Sequence, residues 1–438
     1  TGRRIDFSSM EFDDPKVFEM IADGNTQGVF QLESAGMTAF MKELRPTCFE
    51  DIVAGIALYR PGPMDSIPKY IHNKKHPEDI KYVDDSLAHI LDVTYGCIVY
   101  QEQVMQIVRE LGGFSYGRSD LVRRTMSKKD KDAMNAEREN FVHGKKAADG
   151  TVEIEGCVAK GISEKAANTI FDDMASFAEY AFNKSHAVAY AVVSYQTAYI
   201  KCYYPVEYMA ALMTSMMGNE DHISAYIRNC REMGIDVLPP SVATSYGEFT
   251  SEYREDENGN KIGNVRFGLL GVKHVGSGIV NAIIESRNQN GLPNDIYEFI
   301  NNLDVKELNK RAIESLIKCG AMDCLSDNRA AMMMVYEDAV ASAQAAAKKS
   351  TKEQISIFQL DDMVKEAVSM ARELPKVKNF TKKGLLSMEK EELGVYISGH
   401  PLDDYKELVN KHVTCFTTDL ISNSVEDAGS IQQADYNT

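Results

Sequence analysis

The chain has 438 residues, 44% of them hydrophobic and 26% charged, with a formal net charge of −17. That length suits two to four domains, and the composition is that of globular protein, with no run approaching the roughly 18 apolar residues of a helical membrane span. The eight cysteines are scattered without a Cys-x-x-Cys pair, which argues against a disulfide framework or a cysteine zinc site and fits a reducing, cytoplasmic setting.

The opening "TGRRIDFSS" shows neither an initiating Met nor a signal-like apolar core and reads as the start of a fragment. Residues 11–60 predict short helices; "DDPKVFEMIADG" places acids before an apolar face and Gly24 as a stop. "RPGPM" (60–64) predicts a fixed loop, because Pro61 and Pro63 break the helical ladder. "CIVYQEQVMQIVRELGG" (97–113) ends as a helix, with Val104, Ile107, Val108 and Leu111 on one face and Gly112 as the stop. "YGRSDLVRRTMSKKDKDAMNAEREN" and "SEKAANTIFDDMASFAEYAF" continue the helical pattern, the latter with Ser163 as N-cap. "SHAVAYAVVSYQTAYIKCYY" is a further helix, stopped by Pro205, which itself opens the next. Composition shifts near 218–221, and Pro239–Pro240 mark an extended connector. "VRFGLLGVKHVGSG" reads as strand, turn, short helix and hairpin; helices then resume through Leu325. An Ala-rich helix fades into a polar linker holding the single apolar spot "ISIF". The fold class is therefore mainly α with minor short β.

The acidic total conceals segregation, and binding depends on where positive charge sits. Residues 118–131 carry six basic residues against two acidic ones, and no Lys or Arg follows Lys411. Arg124 and Lys128 share a helix face, with Arg123 beside them. The cluster reads either as a solvated basic face or as a grip for a triphosphate or DNA backbone, since Arg forks match phosphate oxygens two at a time. Asn183, Lys184, Ser185 and His186 precede an apolar helix, with Ser185 at the cap position; this is either ordinary capping or a phosphate-facing helix end. His72 and His76 have metal-ligand spacing but no third ligand nearby, so no metal site is expected. Gly276-Ser277-Gly278 reads as a tight helix-hairpin-helix turn that lets a duplex backbone approach, or as packing between helices. "QISIF" (354–358) is either an exposed docking peptide or a short packed segment. No nucleophile elbow, Walker loop or paired carboxylates appear, so no catalytic residue is assigned.

"QGVFQLESAGM", "YRPGPM", "YGCIVYQEQVMQI", "LVRRTMSKK", "FAEYAFNKSHAVAYAVVSYQT" and "YISGHPL", in this order, resemble the alpha-subunit family of bacterial DNA polymerase III, over roughly residues 11–405. The resemblance implies a multi-helical fingers domain at 1–217. It further implies a clamp-binding domain at 218–378 with a helix-hairpin-helix at about 265–325, and a connector at 379–438 toward an oligonucleotide-binding barrel. It implies a replicative DNA-directed DNA polymerase extending primers from dNTPs, with two Mg²⁺ ions held by palm aspartates that precede this stretch. The fragment is then inactive alone; as it stands, the other reading is a non-catalytic DNA- and clamp-binding module. Residue by residue, Arg123, Arg124, Lys128 and Lys129 match the grip on the incoming triphosphate. Arg60, Asn183, Lys184, Ser185 and His186 match positions facing the nascent pair and template. Gly271, Lys273, Gly276, Ser277 and Gly278 match the duplex-binding hairpin, and Gln354, Ile357 and Phe358 the internal sliding-clamp peptide, where Ile357 replaces a more usual Leu or Met. The implied partners are primer-template DNA, dNTP, the sliding clamp and other replicase subunits, with no membrane.

Overall fold

The computed structural model describes residues 5–128, 131–178, 182–255, 257–352 and 373–413. It is mainly helical, with a few short strands, as the periodicity predicts. The chain divides into two compact units at Tyr203/Tyr204.

In the first unit, helix Lys184–Tyr203 is the organising element. Ala187, Ala191, Ser194, Tyr195 and Ala198 are buried along one stripe. These mostly small side chains let helix Phe49–Leu58 pack closely against it, together with helix Pro15–Ala22. Tyr195 is fully buried among Phe12, Phe18 and Phe49, and its hydroxyl accepts the Asp14 N–H at 2.8 Å. Asp14 in turn caps helix Pro15–Ala22 and accepts the Tyr203 hydroxyl at 2.6 Å. Asp51, buried in the first turn of Phe49–Leu58, receives the Lys74 ammonium at 2.7 Å.

A second cluster in the same unit is built by helices Gln101–Gly112, Tyr116–Lys128, Lys131–His143 and Glu164–Ala178. The first of these keeps the predicted apolar face; Gly112 is its last helical residue, and Gly113, at φ 76°, ends it. Ser163 caps Glu164–Ala178 as expected, its hydroxyl accepting the Ala166 N–H.

The second unit begins with helices Pro205–Ser215 and Glu220–Glu232. A three-stranded sheet follows, with Lys261–Arg266 in the centre, antiparallel to Thr250–Glu255 and parallel to Val237–Leu238. Helices Ser277–Asn290, Ile296–Asn301, Lys310–Lys318, Arg329–Lys352 and Lys382–Leu393 complete the unit; side chains from Val206 to Ile397 share its core. No helix among the described residues is long and apolar enough to cross a membrane.

Candidate functional site

Arg60 and the Asn183–His186 segment, far apart in sequence, meet in the first unit. The "RPGPM" segment is the expected loop: Gly62 takes φ 100°, open to glycine, and Pro63 starts a single 3₁₀ turn. Arg60 is steadied by its Nε–H, which donates to the Ala57 carbonyl at 3.2 Å, and its guanidinium lies 3.8 Å from the centre of the Phe182 ring. The ring of His186 packs edge-on to Phe182 and 4.3 Å from Tyr190, which reaches Phe30. A row of rings therefore leads from Arg60 across the start of helix Lys184–Tyr203. Lys184 places its ammonium 5.3 Å from the Tyr100 ring centre, while Ser185 and His186 are exposed.

The cap itself differs from expectation. Asn183, not Ser185, is the N-cap: its Oδ1 accepts the His186 N–H at 2.9 Å. Ser185 lies one residue inside the helix, where its side chain does not reach the third N–H, whereas the residue preceding the helix does. The Glu102 carboxylate accepts the Lys184 N–H at 2.9 and 3.1 Å and the Asn183 amide at 3.0 Å. The positive end of this helix is thus already matched by the protein's own anion. What remains for a ligand is the side-chain face, not the terminal N–H groups.

Arg123 and Arg124 stand on helix Tyr116–Lys128, whose Val122 and Met126 are buried beneath them. Both converge on one carboxylate: Arg123 reaches Asp120 Oδ1 at 2.8 Å, and Arg124 reaches Oδ2 at 2.8 Å. Hydrogen bonding from Arg123, then its charge and the contact with Arg124, hold the Asp120 carboxyl below the usual aspartate range. Asp120 was predicted only as a subtraction from the local charge, although its spacing of three and four residues from the two arginines is the signal for such a triad. An Asp120→Asn exchange should lower the melting temperature slightly at neutral pH. Because the folded carboxyl is depressed, its contribution is present above the ordinary value of about 3.9 and fades as pH falls through the lower folded one. Thermal melts of both proteins across a pH series should converge in acid; a constant gap would show that Asp120 acts through shape alone. Lys128 lies in the same helix, and Lys129 falls outside the described residues.

In the second unit, Leu269–Gly271 form a 3₁₀ turn and helix Ser277–Asn290 starts directly at Ser277, with Gly276 as N-cap. Ser277 and Gly278 are therefore helical rather than hairpin residues. A Cβ on Gly271 would meet the Phe267 ring at 2.6 Å, so this glycine serves close packing. A Cβ on Gly276 would meet open space, whereas one on Gly278 would meet the Glu307 carboxylate. Lys273 holds its ammonium 3.2 Å from Glu220 and donates its N–H to the Glu392 carbonyl. The backbone at Gly276 is the open approach in this loop.

Sequence reasoning also missed a cavity of about 400 Å³ beside the Gly62–Pro63 loop, lined by Lys69, Lys81, Cys97 and Asp173 among others. Burial pushes the Asp173 carboxyl upward, with Lys69 pulling it back. Gln354, Ile357 and Phe358 lie outside the described residues. Among the described residues, His72 contacts Asp79 and His76 contacts Glu78, and no group of three or more His, Cys, Asp or Glu is placed to hold a metal ion.

Comparison with known proteins follows the same two units. The family model for the bacterial DNA polymerase III alpha subunit finger domain matches residues 1–149, and that for the helix-hairpin-helix motif matches residues 234–332. DNA polymerase III subunit alpha of Pasteurella multocida is 40% identical over 433 residues, 96% of this chain and 35% of that protein. The Thermus aquaticus subunit is 39% identical, covering 97% and 33%, and that of Escherichia coli K12 37%, covering 93% and 34%. The chain thus spans about a third of the length of the relatives it matches. With both motif stretches matched in order and near-complete coverage of its own residues, the chain is similar along almost its whole length to the bacterial DNA polymerase III alpha subunits, and it carries finger-domain and helix-hairpin-helix sequence.

Proposed function

We propose that this chain supplies the nucleotide- and duplex-gripping part of a replicative DNA-directed DNA polymerase, acting in the bacterial cytoplasm during chromosome replication. The observation that carries the reading is the pair of adjacent guanidiniums, Arg123 and Arg124, gathered on the Asp120 carboxylate. Two forks aimed at one anion are suited to the oxygens of an incoming triphosphate, with Lys128 and Lys129 following in the same motif. Arg60, Lys184, Ser185 and His186, held in one face by Phe182 and Asn183, would meet the nascent base pair and template. Gly276, with open space where a side chain would stand, would admit the duplex backbone without reading its sequence. Gln354, Ile357 and Phe358 are proposed to dock in the sliding clamp. The Mg²⁺ ions that the family implies find no ligand set among the described residues and are proposed to sit on palm aspartates of the polymerase.

The test is Arg123→Ala combined with Arg124→Ala in the intact polymerase. Hydrogen bonds to charged groups contribute about 1.5–3 kcal/mol each, so the apparent KM for dNTP should rise at least about tenfold. Unchanged KM and kcat would return the two arginines to a solvated basic face.

A further inference from the structure

The motif "YISGHPL" has no part in the site above, yet it closes a second basic hollow. Tyr396 and His400 line a pocket of about 260 Å³ with Ser224, Arg228, Arg231 and Lys390. Arg228 and Arg231 come from helix Glu220–Glu232, Lys390 from the last turn of helix Lys382–Leu393.

Several cations of this unit are neutralised in place, though Arg287 donates only to the Val242 and Ser245 carbonyls. In this unit Arg254, Arg266, Arg329, Lys273 and Lys318 each meet a carboxylate. Among the described residues Arg228, Arg231 and Lys390 do not, and no carboxylate lines their pocket. Arg231 donates to the Tyr396 carbonyl at 3.4 Å and Lys390 to the Gly394 carbonyl, so both are positioned by neutral oxygens without being neutralised. His400 accepts the Leu402 N–H through Nδ1, which leaves Nε2 to carry the proton of the neutral ring and to act as a donor. Two acids of the adjoining turn are committed elsewhere, Asp403 to the His400 backbone and Lys406, Glu389 to Ile397 and Ser398, and Glu232, beside Arg231, accepts from Asn229. In a chain of net charge −17, three cations converging without a carboxylate mark a place for an external anion.

We propose that this pocket binds a phosphate group. Two sources share that chemistry, the backbone of DNA and free pyrophosphate. The backbone source rests on the polymerase reading, and one link favours it: the helix that carries Lys390 also accepts the Lys273 N–H of the hairpin loop, through Glu392.

The test compares the whole chain with its Arg228→Gln, Arg231→Gln double variant; both side chains are exposed, so the variant should melt as the parent does. Affinity for a labelled duplex is followed against salt, and pyrophosphate binding is measured by calorimetry. A loss of about fivefold or more for DNA, with the slope of log K against log salt falling by about 0.9 per phosphate contact removed, supports the pocket with the backbone as its source. Loss of pyrophosphate binding with DNA affinity unchanged supports it with the free anion as its source. If both DNA and pyrophosphate binding are unchanged in the double variant, the proposal is overturned. A Gly276→Glu variant is measured alongside; unchanged DNA affinity there would count against the hairpin reading alone, since it leaves this pocket intact.

Discussion

Replacing Lys74 with methionine is expected to lower the stability of the first unit by about 3–5 kcal/mol, the usual consequence of removing one partner of a buried ion pair. The Lys74 ammonium lies 2.7 Å from Asp51 and also donates to the carbonyls of Leu44 and Arg45. It therefore joins the end of helix Ala35–Leu44 to the start of helix Phe49–Leu58 from a position on helix Ile67–Lys75. Without it, Asp51 retains the Thr47 N–H at 2.8 Å and the Tyr95 hydroxyl at 3.2 Å, but no countercharge in a site that water barely reaches. A loss of this size is a large part of the roughly 5–15 kcal/mol that holds a domain together. Urea unfolding of the single variant and of Lys74→Met with Asp51→Asn tests the cause. The double variant should lose less than the sum of the singles, because no bare charge is left. Additive losses would place the effect in packing of the lysine stem.

The second large effect is expected at Glu389, buried on helix Lys382–Leu393. Its carboxylate accepts the Ile397 N–H at 2.5 Å and the Ser398 N–H and hydroxyl at 3.0 and 2.5 Å. The chain reverses at Gly394, whose N–H returns to the Lys390 carbonyl, and Glu389 then pins the returning segment "YISGHPL". Bonds to a charged group contribute about 1.5–3 kcal/mol each, but Ser398 can turn to water, so Glu389→Ala should lose about 2–4 kcal/mol in total. Glu389→Gln, which keeps an accepting oxygen, should lose less. Calorimetric melting of the two variants checks this order; equal losses would show that charge is not what holds the turn.

Some of this was legible from residues alone. Helices 101–112 and 205–215 follow from apolar periodicity and from Pro205, with the first helix capped at Gly113, one residue after the stop read at Gly112, and "RPGPM" could be nothing but a loop. Strand Thr250–Glu255 was not legible. Nearly all its side chains are solvated, so it shows no apolar alternation, and it is held by pairing with Lys261–Arg266 and by the Glu252–Arg266 fork. The site divides in the same way. The arginine cluster was visible in local charge, and Asp120 could have been placed by helical spacing. That Arg60 stacks on Phe182, or that Glu102 caps helix Lys184–Tyr203, depends on contacts across many tens of residues, which no local pattern encodes. The choice of Ser185 over Asn183 as cap failed by two residues, the usual uncertainty of a helix boundary.

The row of rings from Phe30 through Tyr190 and His186 to Phe182 has an optical consequence. The chain contains 21 tyrosines and no tryptophan, so its native emission carries no indole signal. Phe30 stands at the outer end of that row, 37% exposed, with its ring 5.4 Å from Tyr190. A tryptophan substituted there would be the sole fluorophore excited at the red edge. Its emission would report, without any attached dye, on the polarity of the face that Arg60 and His186 share.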